Sequence, residues 1–171
     1  RNERTTGIVL LISGSAQLAD NGVIDRIIKE TPVPIFGGVF PGIITERGIV
    51  DADAVLSRIT VPVNVQVIHN LEQESPDMNS QLDDREIGNT VAIIANGLSK
   101  SLNALNEEVY AKYGGDKCYF GGGTGRVDFD RERKTVVTPN GLARHSGVVA
   151  DITVDSTVSV GHGLEPIDGP Y

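Results

Sequence analysis

The chain has 171 residues, 39% of them apolar, which is enough to bury the core of one domain or of two small packed lobes. Its formal net charge of −8 repels phosphate backbones and anionic lipid surfaces, so the reading is no nucleic acid and no membrane as partner. No apolar run reaches the length of a membrane helix, and Arg1 to Thr6 is polar with no signal-peptide core behind it, which favours a cytoplasmic location. One cysteine, Cys118, forms no internal disulfide and suits a reducing compartment. Cys118 and the scattered His69, His145 and His162 lack zinc-ligand spacing, and no cofactor is expected.

The elements begin with a continuous apolar run from Gly7 to Ile12, a buried strand closed by Ser13 and Gly14. Asp20 and Asn21 are placed to cap a helix carrying Val23, Ile24, Ile27 and Ile28, which ends before Thr31-Pro32. Val33 to Phe36 reads as a short strand stopped by Gly37 and Gly38. Ile43 to Ile49 reads as a hairpin or a strand with its turn. Val61 to Leu71 alternates as a strand, with Val61, Val63, Val65, Val67 and His69 on one side. The stretch 72–89 is polar and acidic, and reads as a linker or a mobile flap.

The pattern then restarts. Thr90 to Ala95 is a strand closed by Asn96-Gly97, and Ser99 to Tyr113 is a helix with Leu102, Leu105, Val109 and Tyr113 on one stripe. Lys117 to Phe120 is a strand stopped by Gly121, Gly122 and Gly123, and Arg133 to Thr138 enters a hairpin at Pro139-Asn140-Gly141. Ser146 to Thr153 and Thr157 to Val160 close the series.

The two stretches match in order. Val9 to Gly14 corresponds to Ala92 to Gly97, and Ile35 to Gly38 corresponds to Tyr119 to Gly122. Val65, Val67, His69 and Leu71 recur as Val158, Val160, His162 and Leu164. The expected fold class is therefore mixed α/β (α+β): two pseudo-symmetric β-α-β-plus-hairpin repeats with mixed sheets, about 7–71 and 90–166, joined by the acidic loop 72–89.

These residues also carry a family resemblance. Phe120 to Gly125, Thr135 to Val137, the Asn140-Gly141 turn, Gly147 to Ala150 and the ending from Val160 to Ile167 resemble the FIST N-terminal domain, named for F-box and intracellular signal transduction proteins. Ser13-Gly14 and Pro34 to Gly38 extend the likeness over nearly the whole chain, 1–171. The Gly161-His162-Gly163 phrase is its most specific part, although Leu164 stands where family members often carry an aromatic residue. The resemblance implies a sensory domain that binds small ligands, with amino acids as a ligand class, joined to signalling outputs. It also implies a C-terminal FIST domain beyond Tyr171 as partner.

The candidate ligand-binding residues are Gly37, Gly38, Gly121, Gly122 and Gly123, with Arg126, Arg144 and His162. Bare backbone N–H groups at the glycines form a nest for an anion, arginine forks a carboxylate, and an imidazole between two glycines is open to hydrogen bonding. The expected pocket lies where the two repeats meet, lined by both double-glycine turns and the segment around His162. A P-loop is excluded because no Lys-Ser/Thr follows Gly125. No catalytic residue or metal ligand is assigned. Two other classes stay open: a hydrolase or transferase using His162 or His145, with Ser146 and Asp151 as triad types, and a non-catalytic scaffold that docks partners through its acidic loop.

Overall fold

The computed structural model describes residues 4–15, 17–46, 48–50, 53–85, 88–128, 130 and 132–159. Two parallel strand pairs form its frame. In the first, β1 (Gly7–Ser13) leads through α1 (Val23–Glu30) to β2 (Ile35–Phe40), and Leu10 lies opposite Gly37. Two small strands, β3 (Ile43–Thr45) and β4 (Gly48–Val50), make a separate hairpin, followed by β5 (Ala54–Ile59) and β6 (Val63–Ile68). In the second, β7 (Thr90–Asn96) leads through α2 (Leu102–Tyr113) to β8 (Cys118–Thr124), and Ile93 lies opposite Gly121. A second hairpin, β9 (Val136–Thr138) and β10 (Gly141–Ala143), precedes β11 (Gly147–Ile152).

The strands exchange partners between the two halves of the chain. One sheet has the order β10-β9-β2-β1-β5 and the other β6-β11-β7-β8, so a late hairpin completes the early sheet and β6 completes the late one. Both sheets are mixed: β5 and β11 run antiparallel to β1 and β7. Strand alternation then sorts the apolar side chains into three layers. Phe36, Ala92, Ile94, Val136, Val148 and Ala150 lie between the sheets. Leu10, Ile12, Ile35, Val137 and Leu142 turn to Ile24 and Ile28 of α1. Ile68, Val91, Ala95 and Val149 turn to Leu105 and Val109 of α2. The section is therefore helix, sheet, sheet, helix.

Several elements differ from their expected form. Gly37-Gly38 and Gly121-Gly122-Gly123 lie within β2 and β8 and do not end them. A Cβ on Gly37 would stand 2.0 Å from the Leu10 carbonyl oxygen, and one on Gly121 would stand 1.7 Å from that of Ile93, so close strand approach and not a turn demands glycine there. The acidic stretch is no free flap: Met78 and Leu82 are buried under α2 beside Leu105, and Lys112 Nζ donates to the Leu82 carbonyl at 2.9 Å. Strand β5 was not expected, and the Thr157–Val160 strand is not seen over 157–159, residue 160 lying outside the described part. Helix α1 begins at the expected place, but its cap is Gly22, at φ +74° and with no side-chain cap, while Asn21 before it accepts the Val23 N–H through Oδ1 at 3.1 Å.

Candidate functional site

The triple glycine of β8 forms the rim of a groove. Among the described residues no strand pairs with the outer edge of β8, and Gly121, Gly122 and Gly123 are exposed. The Thr124 carbonyl turns inward and accepts the Gly97 N–H at 2.9 Å. Alternation along the strand therefore turns the N–H and C=O groups of Gly121 and Gly123 outward, where no strand among the described residues pairs with them. Below this rim lies a hollow of about 290 Å³ with Ile93, Ala95 and Tyr119 on its floor and Leu102 and Asn106 of α2 as its far wall. Burial pushes the Tyr119 phenol up, and its O–H donates to the Gly114 carbonyl at 2.6 Å, so the floor stays uncharged. The groove thus combines an apolar floor, a row of backbone donors and acceptors, and one side-chain amide.

A second hollow of about 190 Å³ shares Gly123 and runs past Gly125 to Arg126 and Pro41. The Arg126 guanidinium donates through one nitrogen to both oxygens of Asp20, at 2.9 and 3.0 Å, and Arg133 reaches the same carboxylate at 3.4 Å. Arg126 is therefore held at the end of the glycine rim, with its charge already shared.

The structure brings together Gly121, Gly122, Gly123 and Arg126 and separates the other candidates from them. Gly37 and Gly38 are buried behind β9, paired with Val137 and Val136, and reach no ligand surface. The two glycine phrases do not face each other across a cleft. The strands meet at their ends, where Gly38 abuts Thr124 and the Gly125 N–H donates to the Val39 carbonyl at 2.9 Å. Arg144 pairs with the exposed Glu132. His162 lies outside the described residues, and with it the expected imidazole end of the pocket.

The hydrolytic arrangement around His145 does not assemble. His145 Nδ1 faces Glu72 Oε1 at 3.4 Å, the Ser146 hydroxyl donates to the Arg144 carbonyl at 2.9 Å, and Asp151 sits near the far end of β11, where it accepts the Gly88 N–H at 2.6 Å. No helix among the described residues is long and apolar enough to cross a membrane. Sequence reasoning missed Asn106, Leu102, Tyr119 and Ile93 as groove residues. The first would have emerged from laying one helix over the other, since Ile24-Asp25 and Ile28 of α1 take the places of Leu105-Asn106 and Val109 of α2.

A search of curated proteins finds no match to the chain, and neither does a search of solved structures. The model of the FIST N domain matches residues 7–171. With that match over nearly its whole length, the chain belongs to the FIST N domain family, a signal-transduction-associated domain.

Proposed function

We propose that this domain is a non-catalytic sensor whose ligand is a small carboxylate-bearing metabolite, an amino acid or a related acid, taken into the groove between β8 and α2. The observation that carries the reading is the outward row of backbone groups at Gly121 and Gly123, set above an apolar floor and opposite Asn106. Edge N–H groups match a carboxylate, the Asn106 amide supplies both a donor and an acceptor, and Ile93 and Tyr119 match a short apolar side chain. Arg126 at the end of the rim offers no free fork, because Asp20 holds it. A C-terminal FIST domain and a signalling output fit as partners of such a sensor in the cytoplasm.

Thermal denaturation with a panel of free amino acids and short carboxylic acids tests this. A ligand at a hundred times its Kd adds about 2.7 kcal/mol to stability, which raises the midpoint by several degrees. Asn106 is exposed, so Asn106→Leu folds and abolishes the shift. No shift with any member of the panel, or a shift that survives Asn106→Leu unchanged, refutes the reading.

A further inference from the structure

The groove beside β8 has a counterpart on the other sheet, and that counterpart is filled. Leu10, Ile35, Gly37 and Asp25 occupy the register and helix positions held by Ile93, Tyr119, Gly121 and Asn106. On the first sheet the β9–β10 hairpin lies along β2, with Val137 opposite Gly37 and Val136 opposite Gly38. Its Val137 and Leu142 are buried against Leu10, Ile24, Ile28 and Ile35, and Asp25 Oδ1 accepts the Leu142 N–H at 2.8 Å.

The chain contains a second hairpin of the same build. In one, Ile44 lies opposite Ile49 and Thr45 opposite Gly48; in the other, Val137 lies opposite Leu142 and Thr138 opposite Gly141. Thr45 Oγ1 donates to the Gly48 carbonyl at 3.2 Å, as Thr138 Oγ1 does to that of Gly141 at 2.8 Å. Gly48 and Gly141 both adopt positive φ, +99° and +125°. The difference lies in burial. Leu142 is 7% exposed and Val137 is fully buried, whereas their counterparts Ile49 and Ile44 are 77% and 83% exposed. A slot left open among the described residues, and a hairpin of the shape that fills its twin, held at its base by the buried Ile43 beside β1 but with Ile44 and Ile49 facing outward, are thus present in one chain.

The tethers permit the two to meet. The hairpin returns to β5 through 51–53, and the docked one returns to β11 through 144–146. It leaves β2 through Pro41-Gly42 alone, where the docked one uses 125–135. That longer loop closes on itself, since the hydroxyls of Thr124 and Thr135 are 2.9 Å apart. The gap to be bridged is therefore small, and two linking residues at about 3.3–3.6 Å each span it. Pro41 already stands beside Gly123.

We propose that the β3–β4 hairpin is a lid that closes within its own chain onto the outer edge of β8, seating Ile44 and Ile49 over Ile93 and Tyr119. Closure offers the Ile49 N–H to the Asn106 side chain, as Leu142 offers its own to Asp25, and covers the unpaired groups of Gly121 and Gly123. Closure itself does not depend on what else the groove binds. Under the sensor reading it makes lid and ligand exclusive, so that a bound ligand keeps the Ile44–Ile49 face turned outward as the signalling surface.

Disulfide trapping tests the lid without any ligand. In a Cys118→Ser background, Ile49→Cys with Asn106→Cys places two thiols at the positions that correspond to Leu142 and Asp25, which are in hydrogen-bond contact in the twin hairpin. Mild oxidation is expected to give a bond within the monomer, seen by peptide mapping and size exclusion, with at least tenfold less for Ile49→Cys with Glu107→Cys. A bond formed only between two chains, equal bonding in the control pair, or no bond in folded protein overturns the proposal. Ile44→Asp gives an independent reading, since Ile44 is exposed and the variant folds. Hydrogen exchange at residues 121–123 is expected to quicken in that variant while β7 keeps its protection, and unchanged exchange there overturns the lid.

Discussion

Replacing Gly121 by alanine tests the account of the β7–β8 pair at its tightest point. The added Cβ would stand 1.7 Å from the Ile93 carbonyl oxygen and 2.6 Å from its carbon, at a φ of +153° that side chains seldom adopt. An ordinary carbon-oxygen contact is about 3.2 Å, so β8 must retreat by roughly 1.5 Å, more than a hydrogen bond of about 2.9 Å survives. Two ladder bonds at about 1 kcal/mol each and backbone strain of about 1–2 kcal/mol give a loss of about 3–4 kcal/mol. That corresponds to a fall in Tm of roughly 6–16 °C for a chain of this size. Gly37→Ala is expected to cost at least as much, since its Cβ would lie 2.0 Å from the Leu10 oxygen and β2 is hemmed in by β1 and β9. Gly122→Ala meets nothing within 4 Å and is expected within about 0.5 kcal/mol of the parent. Urea denaturation of the three variants decides it. If Gly121→Ala melts with the parent, or Gly122→Ala suffers as much as Gly121→Ala, the close-approach argument is wrong.

Two further substitutions probe the rest of the frame. Met78→Ala removes a side chain that is 2% exposed beneath α2, and a loss of about 3 kcal/mol in urea denaturation is expected; a loss below about 1 kcal/mol would show that the acidic stretch does not anchor there. Burial pushes the Asp151 carboxyl up, partly offset by the Gly88 N–H, so the folded chain holds that proton more tightly than the unfolded one. Its contribution is full below the unfolded value of 3.8 and is lost as pH rises through the raised folded value. Asp151→Asn keeps an oxygen for Gly88 and removes this loss. The variant should therefore gain on the parent in denaturation series as pH climbs from about 4 to 7, and a parent that gains on the variant would reverse the assignment.

The strand and helix frame was legible because its signals are local. Apolar runs such as Ile8 to Ile12 and the stripe of Leu105 and Val109 announce themselves without tertiary context. What was misread depended on a neighbour. Gly37 and Gly121 looked like punctuation, because a sequence does not show the carbonyl of the adjacent strand pressing on the missing Cβ. Met78 and Leu82 are lone apolar residues in a polar stretch, too sparse for periodicity, yet each finds the underside of α2. Strand β5 is an edge strand with Leu56, Ser57 and Arg58 exposed, so its pattern is half erased. The groove was half legible: its glycines were nominated, whereas Asn106 needed the two helices to be compared.

The likeness between the two β-α-β units supports the proposed site beside β8 and its absence beside β2. Each unit ends in a strand whose outer edge is too narrow in side chains to protect itself, with glycines where the neighbouring carbonyl presses closest. On β2 that edge is covered by Val136 and Val137, and Asp25 is half-buried in the closure. On β8 the same edge is bare among the described residues, and Asn106 is exposed. A carboxylate suits a slot that is always filled, because its only task is to accept one backbone N–H. An amide in the equivalent place accepts the same N–H from a hairpin and also donates to a carboxylate from solution. Under the proposed reading, an amide where the other helix carries an acceptor-only carboxylate is what would let two occupants contest the slot beside β8.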